Sequence, residues 1–383
     1  MQYPDLMRSY DQYKKHEALG HMQISRVQKI ALSSVFFMFL PLMILKVYYK
    51  IFSVKQHKYR IHIFPFVDSE PFATLTRVLS RIKESKVIVY PKALFVFPPI
   101  LWFDFLDTLL RKPVWTVKNL DFFGALALKV SKYYGYKRKY GIDRLLLFQE
   151  YSFYSSYLTR VFENEKGKVY NLMHGIPGKE ACYFRFSKCF VWGEHFKEYY
   201  IRNHAHKQQF VIAGSIYHAV LKQKKVSGEE IYDIVYAMQG DRYSDERDTG
   251  SMLEILLKIQ QEEGLKVAVK PHPLYPNKVQ IPSSLAILEL TPLESIYHTK
   301  MMVSHFSTML LDAKVLGKKV LAFLPEEKRE LVMYLHTDEV IFEKKRLYDG
   351  IIQVWNASND HTFTEEMIDS SIDTLRTIEN DIS

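Results

Sequence analysis

Four clusters of polar residues in this chain of 383 carry the side chains that a phosphate- and hydroxyl-handling site requires. The first is Met173-His174-Gly175-Ile176-Pro177-Gly178-Lys179. A histidine at the end of an apolar run can act as a base or donate to a phosphate or sugar oxygen. Gly175 admits close approach of a ligand or of backbone, and Lys179 can hold an anion in the following turn. The competing role for His174 is to satisfy a buried carbonyl at a turn. The second cluster is Gln149-Glu150-Tyr151-Ser152. A carboxylate among Phe148, Tyr151 and Phe153 can have a raised pKa and serve as general base, or can simply offset a helix dipole.

The third cluster, Lys270-Pro271-His272-Pro273, fixes a histidine between two prolines beside a lysine. Such a rigid imidazole suits a phosphate or diphosphate, and turn prolines pre-organise geometry rather than packing. The fourth is Ser304-His305-Phe306-Ser307-Thr308, just before a helical run. Hydroxyls and free N–H groups at a helix start form an anion site, although Ser307 and Thr308 can equally be plain caps. Glu294 opens a short helix and can accept from ribose hydroxyls or act only as a first-turn acid. Gln239-Gly240 closes another apolar run at the expected cleft edge. Asp241 and Asp245 beside it read as loop solvation.

Several chemistries lack their motifs. There is no G-x-G-x-x-G after a strand and no G-x-x-x-x-G-K-[ST], which disfavours dinucleotide dehydrogenases and P-loop NTPases. No G-x-S-x-G elbow is present. Cys182 and Cys189 have neither a partner pair nor a histidine at zinc spacing, and no compelling Asp-x-Asp clamp appears. The expectation is a site that needs no metal and no resident cofactor.

The elements that must position these clusters alternate between strand and helix. Strands are expected at 60–66, 86–91, 143–150, 168–175, 189–194 and 210–215, with helices at 73–85 and 151–165. A second series has strands at 230–240, 265–273, 284–290, 301–307 and 318–324, with helices at 251–264 and 308–317. The tail from Thr362 starts with a capping-box pattern and runs as a helix to about residue 379. Alternation of this kind means parallel, doubly wound α/β sheets, and two series mean two Rossmann-like domains facing across a cleft. The boundaries read as a basic and apolar amino-terminal segment at 1–58, a first domain at 59–221, a second at 229–358 and a terminal helix at 359–383. The polar run 222–228 is the linker. In open parallel sheets ligands bind at the carboxyl ends of strands, where the clusters lie.

Composition sets the outer limits. Hydrophobic residues are 48% and charged residues 25%, the balance of a packed globular protein. The formal charge is +9, and the first 60 residues hold ten of the basic side chains against three acids. A nucleic-acid surface would spread its charge more widely, so nucleic acid is not the expected partner. Ile30 to Leu45 is sixteen residues without a charge, short of the roughly 20 that a span needs. It carries Pro41 and is flanked by Lys29, Lys46 and Lys50. It reads as a helix lying on a membrane surface, a buried helix, or a true span.

The order of these motifs resembles bacterial surface-polysaccharide transferases of the GT-B fold. HG-x-P-x-K at 174–179 is followed by Phe190-Val-Trp-Gly-Glu194, Val211-Ile-Ala-Gly-Ser215, Lys270-Pro-His-Pro273, then Ser304-x-x-Ser-Thr308 with Gly317-Lys-Lys-Val320. Similar families are the capsule and lipooligosaccharide glycosyltransferases, polysialyltransferases among them, and the CDP-glycerol/teichoic-acid transferases. The resemblance covers roughly residues 145–325. It implies a glycosyltransferase using a nucleotide-activated sugar, a CMP-sugar first. The acceptor would be an oligosaccharide or glycolipid, at the cytoplasmic face of the inner membrane as a peripheral protein. His272, Ser304, Ser307 and Thr308 would hold the donor phosphate, and His174 or Glu150 would deprotonate the acceptor. Two departures stand out. The acidic-acidic-Gly motif of the polysialyltransferases is absent, and Ser304-His305-Phe306 replaces the Asp-Tyr that precedes the serines in the teichoic pattern. A CDP-polyol phosphotransferase and a non-catalytic scaffold of a polysaccharide assembly complex are the alternatives.

Overall fold

The computed structural model describes residues 4–18, 25, 27–34, 61–63, 85–87, 96–148, 152–173, 175, 184–202, 209–215, 218, 229–240, 244–272, 278–305, 307–324, 337–358 and 374–382. The chain divides into two compact units. One comprises Met1–Tyr217 with Glu365–Ser383, and the other is His218–Thr364.

The first unit holds six parallel strands, β1 (Ile61–Ile63), β2 (Ser85–Val87), β3 (Arg144–Leu147), β4 (Lys168–Leu172), β5 (Lys188–Val191) and β6 (Phe210–Ile212), in the spatial order β2-β1-β3-β4-β5-β6. Strands β3 to β6 each lie on an apolar run of the sequence. Leu145, Leu146, Val169, Cys189 and Phe190 are buried, as strands covered on both faces must be. Around them lie α1 (Pro4–Ala18), α2 (27–34), α3 (Pro99–Arg111), α4 (Pro113–Lys118), α5 (Leu120–Tyr140), α6 (Ser155–Asn164) and α7 (Glu194–Arg202). Pro99 and Pro113 stand at first helical positions, where the missing N–H costs nothing. Gly141, with φ 67°, closes α5 in the left-handed conformation that a side chain resists. At Gly124 a Cβ would lie 1.8 Å from the Leu32 carbonyl oxygen, so only glycine lets α2 dock on α5 this closely.

The second unit repeats the principle with β7 (Tyr232–Ala237), β8 (Val267–Lys270), β9 (Ala286–Ile287), β10 (Thr299–Ser304), β11 (Lys319–Phe323) and β12 (Glu339–Ile341), in the order β12-β11-β10-β7-β8-β9, all parallel. Its helices are α8 (Glu246–Glu262), α9 (Pro292–Tyr297), α10 (Thr308–Val315) and α11 (Leu347–Asn356). Asp245, read from sequence as loop solvation, is instead the N-cap of α8, where its carboxylate accepts from the Asp248 N–H at 2.7 Å. Met252, Leu256 and Ile259 then face Ile234, Val269 and Met301 of the sheet at helical spacing.

The tail does not stand apart. Helix α12 (Thr374–Ile382) belongs to the first unit, with Ile378 fully buried and Asp381 paired with Lys188 at the start of β5. Among the described residues no helix is long and apolar enough to cross a membrane. Of the apolar run 30–45, residues 30–34 belong to α2, and the rest lies outside the described residues.

Candidate functional site

The strand order of the second sheet marks the edge at which such folds hold their ligands. From β7 the chain moves outward through β8 and β9, returns to the other side of β7 as β10, and moves outward again through β11 and β12. The order therefore reverses between β7 and β10. In open α/β sheets the crevice at that switch point, outside the carboxyl ends of the strands, is where ligands bind.

The register places the sequence clusters along that edge. Ser304 is paired with Ala237, and Ala237 with Lys270, so the last row of β10, β7 and β8 holds these three residues side by side. At the usual strand spacing this row spans about 10 Å. The Ser304 hydroxyl is wholly buried and donates to the Ala237 carbonyl at 2.6 Å. It ties β10 to β7 at the switch point rather than facing outward. Beyond it, Ser307 caps α10 by accepting from the Met309 N–H at 3.2 Å, and Thr308 opens that helix. Both are partly exposed, and the positive end of the helix dipole lies beside the switch point. Gln239 and Gly240 follow β7 and are buried.

On the other side, β8 ends at Lys270, which is 7% exposed and donates to the Pro271 carbonyl at 3.0 Å. Burial lowers its pKa. His272 is half-buried two residues on. Burial first, and then the Lys270 charge, push its imidazole below the ordinary histidine range. Pro273 lies outside the described residues. Lys270 and His272 thus lie at the end of β8 on one side of β7, and Ser307 and Thr308 follow β10 on the other.

Glu294 stands elsewhere. It forms a capping box at the start of α9, accepting from the Thr291 N–H and hydroxyl, both at 2.8 Å. These bonds hold its carboxyl below the usual range. Its carboxylate is engaged in capping the start of a helix.

Sequence reasoning passed over two histidines. His305 follows Ser304 and is 2% exposed; its Nδ1 meets the Phe323 carbonyl at 2.9 Å. A carbonyl only accepts, so the proton is on Nδ1 and Nε2 carries the lone pair when the ring is neutral. His218 meets Asp312 at 2.8 Å (Nε2 to Oδ1), both buried, which fixes α10 from one turn beyond Thr308. No motif joins residues 94 positions apart in sequence; only the fold brings them together.

In the first unit, Glu150, His174 and Lys179 lie outside the described residues. The Met173 N–H donates to the Phe190 carbonyl, and the Trp192 indole donates to the Met173 carbonyl, both at 3.0 Å. Met173 is thus held through both its N–H and its carbonyl, and Gly175 is a half-buried bend. Among the described residues no three His, Cys, Asp or Glu side chains converge as a metal site.

No family model matches the sequence, and no curated protein matches it. Solved structures do resemble it. The UDP-GlcNAc 2-epimerase of Methanocaldococcus jannaschii, in complex with UDP-GlcNAc and UDP, aligns with a TM-score of 0.56 at 12% identity, over 84% of this chain and 99% of that one. The UDP-N-acetylglucosamine 2-epimerase of Rickettsia bellii gives 0.55 at 12% identity, over 85% and 95%. The enzyme of Neisseria meningitidis, bound to UDP-GlcNAc, gives 0.52 at 11%, over 84% and 98%. At such identities the likeness establishes the fold: this chain is a GT-B-like protein of two parallel-sheet α/β units.

Proposed function

We propose that this protein is a glycosyltransferase that binds a nucleotide-activated sugar on its second unit and moves the sugar to a hydroxyl of a bacterial surface glycan. The observation that carries the reading is the switch point between β7 and β10, with Lys270 and His272 on one side and the Ser307-Thr308 start of α10 on the other. Helix N–H groups suit a phosphate that gains charge as the glycosidic bond breaks, because their dipoles are already oriented and need no reorganisation. The His272 ring and Lys270 side chain stabilise the same leaving group. Ser304 and Glu294 have structural duties in this reading, and Ser307 and Thr308 make the contact. A CMP-sugar remains the favoured donor on the motif resemblance. The solved structures that share the fold act on or hold UDP-GlcNAc, which supports a nucleotide sugar as the substrate class. His174 or Glu150, from the first unit, supplies the base that takes the acceptor proton.

The test is a panel of CMP-, CDP-, UDP- and GDP-activated donors, with nucleotide release followed with and without a lipid-linked oligosaccharide acceptor. The reading expects nucleotide release coupled to a sugar-mass increment on the acceptor, lost in His272→Ala. A phosphopolyol increment, or conversion of a nucleotide sugar into its epimer with the nucleotide retained, overturns it. Failure of every nucleotide to bind favours a scaffold.

A further inference from the structure

Seven of the nine large hydrophobic side chains exposed among the described residues fall on α2, α3 and α4. Phe103, Leu106 and Leu110 form a stripe on α3 at i, i+3, i+7 spacing, and Val114 and Val117 continue it on α4. Phe103 is 67% exposed and Leu110 83%. Val27 and Ile30 of α2 are exposed as well.

The orientation of α3 is fixed from inside. Asp104 is 3% exposed and takes the Tyr157 hydroxyl at 2.6 Å and the Arg160 guanidinium at 2.9 Å. This helix buries Asp104 beside Leu101 and Phe105 and still carries Phe103, Leu106 and Leu110 on its outer side, where a water-facing helix would be polar. Rotating it to hide Phe103 and Leu110 would pull Asp104 away from Tyr157 and Arg160. A clustered apolar surface that folding does not cover marks a place where something else does.

The charges beside the stripe say what. Lys112 joins α3 to α4 and Lys118 ends α4, both exposed. Asp107, the acid of α3's outer side, is paired with Arg111 at 2.7 Å. Next to Val117 a cavity of about 390 Å³ opens between α1, α2 and α4, lined by Lys14, Lys29, Lys118, Ser33 and Ser34, with Ile30 also on its wall. Glu17 takes both Lys14 and Lys29, and Asp121, also in the lining, takes the Tyr13 hydroxyl at 2.9 Å. Among the described residues no acid forms an ion pair with Lys118. Half-buried Trp102 and Trp115 flank the apolar side chains, and tryptophan favours the headgroup level of a bilayer. Lysine is depleted from protein interfaces, so lysines bordering the stripe favour lipid over protein.

We propose that α2, α3 and α4 form a docking face for a bilayer containing anionic lipids. Phe103, Leu110 and Val114 enter the boundary between headgroups and acyl chains, and Lys112 and Lys118 hold headgroup phosphates. This face belongs to the first unit alone and does not depend on the transferase reading; its test reads no activity.

The full-length protein is sedimented with vesicles of phosphatidylcholine, and of phosphatidylcholine and phosphatidylglycerol in equal parts. It sediments with the mixed vesicles, several-fold less with the neutral ones, and less again as salt is raised. The double variant Phe103→Ser/Leu110→Ser lowers partitioning roughly tenfold or more. Lys112→Gln and Lys118→Gln each lower it about fivefold on mixed vesicles only. All four side chains are exposed, so the variants keep the wild-type melting midpoint. Three results overturn the proposal: wild-type protein that stays in the supernatant with both vesicles, variants that sediment like the wild type, or a concentration-dependent dimer in analytical ultracentrifugation that the double variant abolishes.

Discussion

Burial at the end of β8, and then the charge of Lys270 beside it, keep the His272 ring neutral over more of the pH range than in an unfolded chain. The sign of the consequence is fixed. The unfolded chain takes up its proton near pH 6.5, before the folded one does. The contribution to stability is therefore complete above that value and is lost as pH falls through the lower folded value. A bound phosphate reverses the preference. In an imidazole NMR titration the midpoint of His272 lies below 6.5 without ligand and rises when a nucleotide saturates the site, so nucleotide affinity increases as pH falls toward the midpoint. Lys270→Met raises the unliganded midpoint only in part, because burial is the larger cause. An unliganded midpoint above 6.5 would contradict the structure. The two serines separate by a different readout. Ser304→Ala leaves the buried Ala237 carbonyl without its donor and costs about 1–3 kcal/mol in urea unfolding, with nucleotide affinity changed less than stability. Ser307→Ala removes a cap worth about 1 kcal/mol and weakens nucleotide binding as well. The clusters around His272 and Ser307 were legible in the sequence because turn prolines and cap residues announce strand and helix ends. That Ser304 points into the sheet was not, since neighbouring hydroxyls look alike until the register is known.

At the scale of elements, the alternation that the sequence displays from residue 143 onward became β3 to β11, because short apolar runs bounded by Gly and Pro leave few other choices. The helices between residues 99 and 140 escaped. Helix α5 is buried on nearly every side, and α3 carries apolar side chains on both faces, so neither shows the one-sided period that marks a helix. Strand β12 is three residues long and too short to display a pattern. Two substitutions test how these helices are held. Gly124→Ala drives a methyl into the Leu32 carbonyl and undocks α2; limited proteolysis then cuts within residues 27–34 faster than in the wild type, while the second unit's melting transition stays where it was. Asp104→Ala removes the inward anchor of α3 and the buried acid that Arg160 pairs with, at about 3 kcal/mol, toward the low end for a broken buried pair because Arg160 is partly in water. The measurement is urea unfolding followed by Trp102 and Trp115 fluorescence.

For the molecule as a whole, the partition is His218–Thr364 on one side and two separate stretches of chain on the other. The sequence showed the two α/β series but set the last residues apart as a helix of their own, because nothing local tells a tail which sheet it will meet. Its anchors are the buried Ile378 and the pairing of Asp381 with Lys188, nearly two hundred residues upstream. Deleting residues 365–383 is expected to lower the melting midpoint of the first unit by about 5–10 °C, given the cost of emptying one large apolar site, and to leave the second unit's transition in place. Differential scanning calorimetry separates the two.

The return of the tail also sets an order of assembly. Synthesis proceeds from the amino terminus, and domains fold as their residues become available. All of His218–Thr364 leaves the ribosome before α12 does. The unit whose residues are made first is thus sealed last, and throughout synthesis of its companion it waits with the seat of Ile378 open. A chain released at Thr364 would carry a finished second unit and an unfinished first, the reverse of the usual sequence in a two-domain protein.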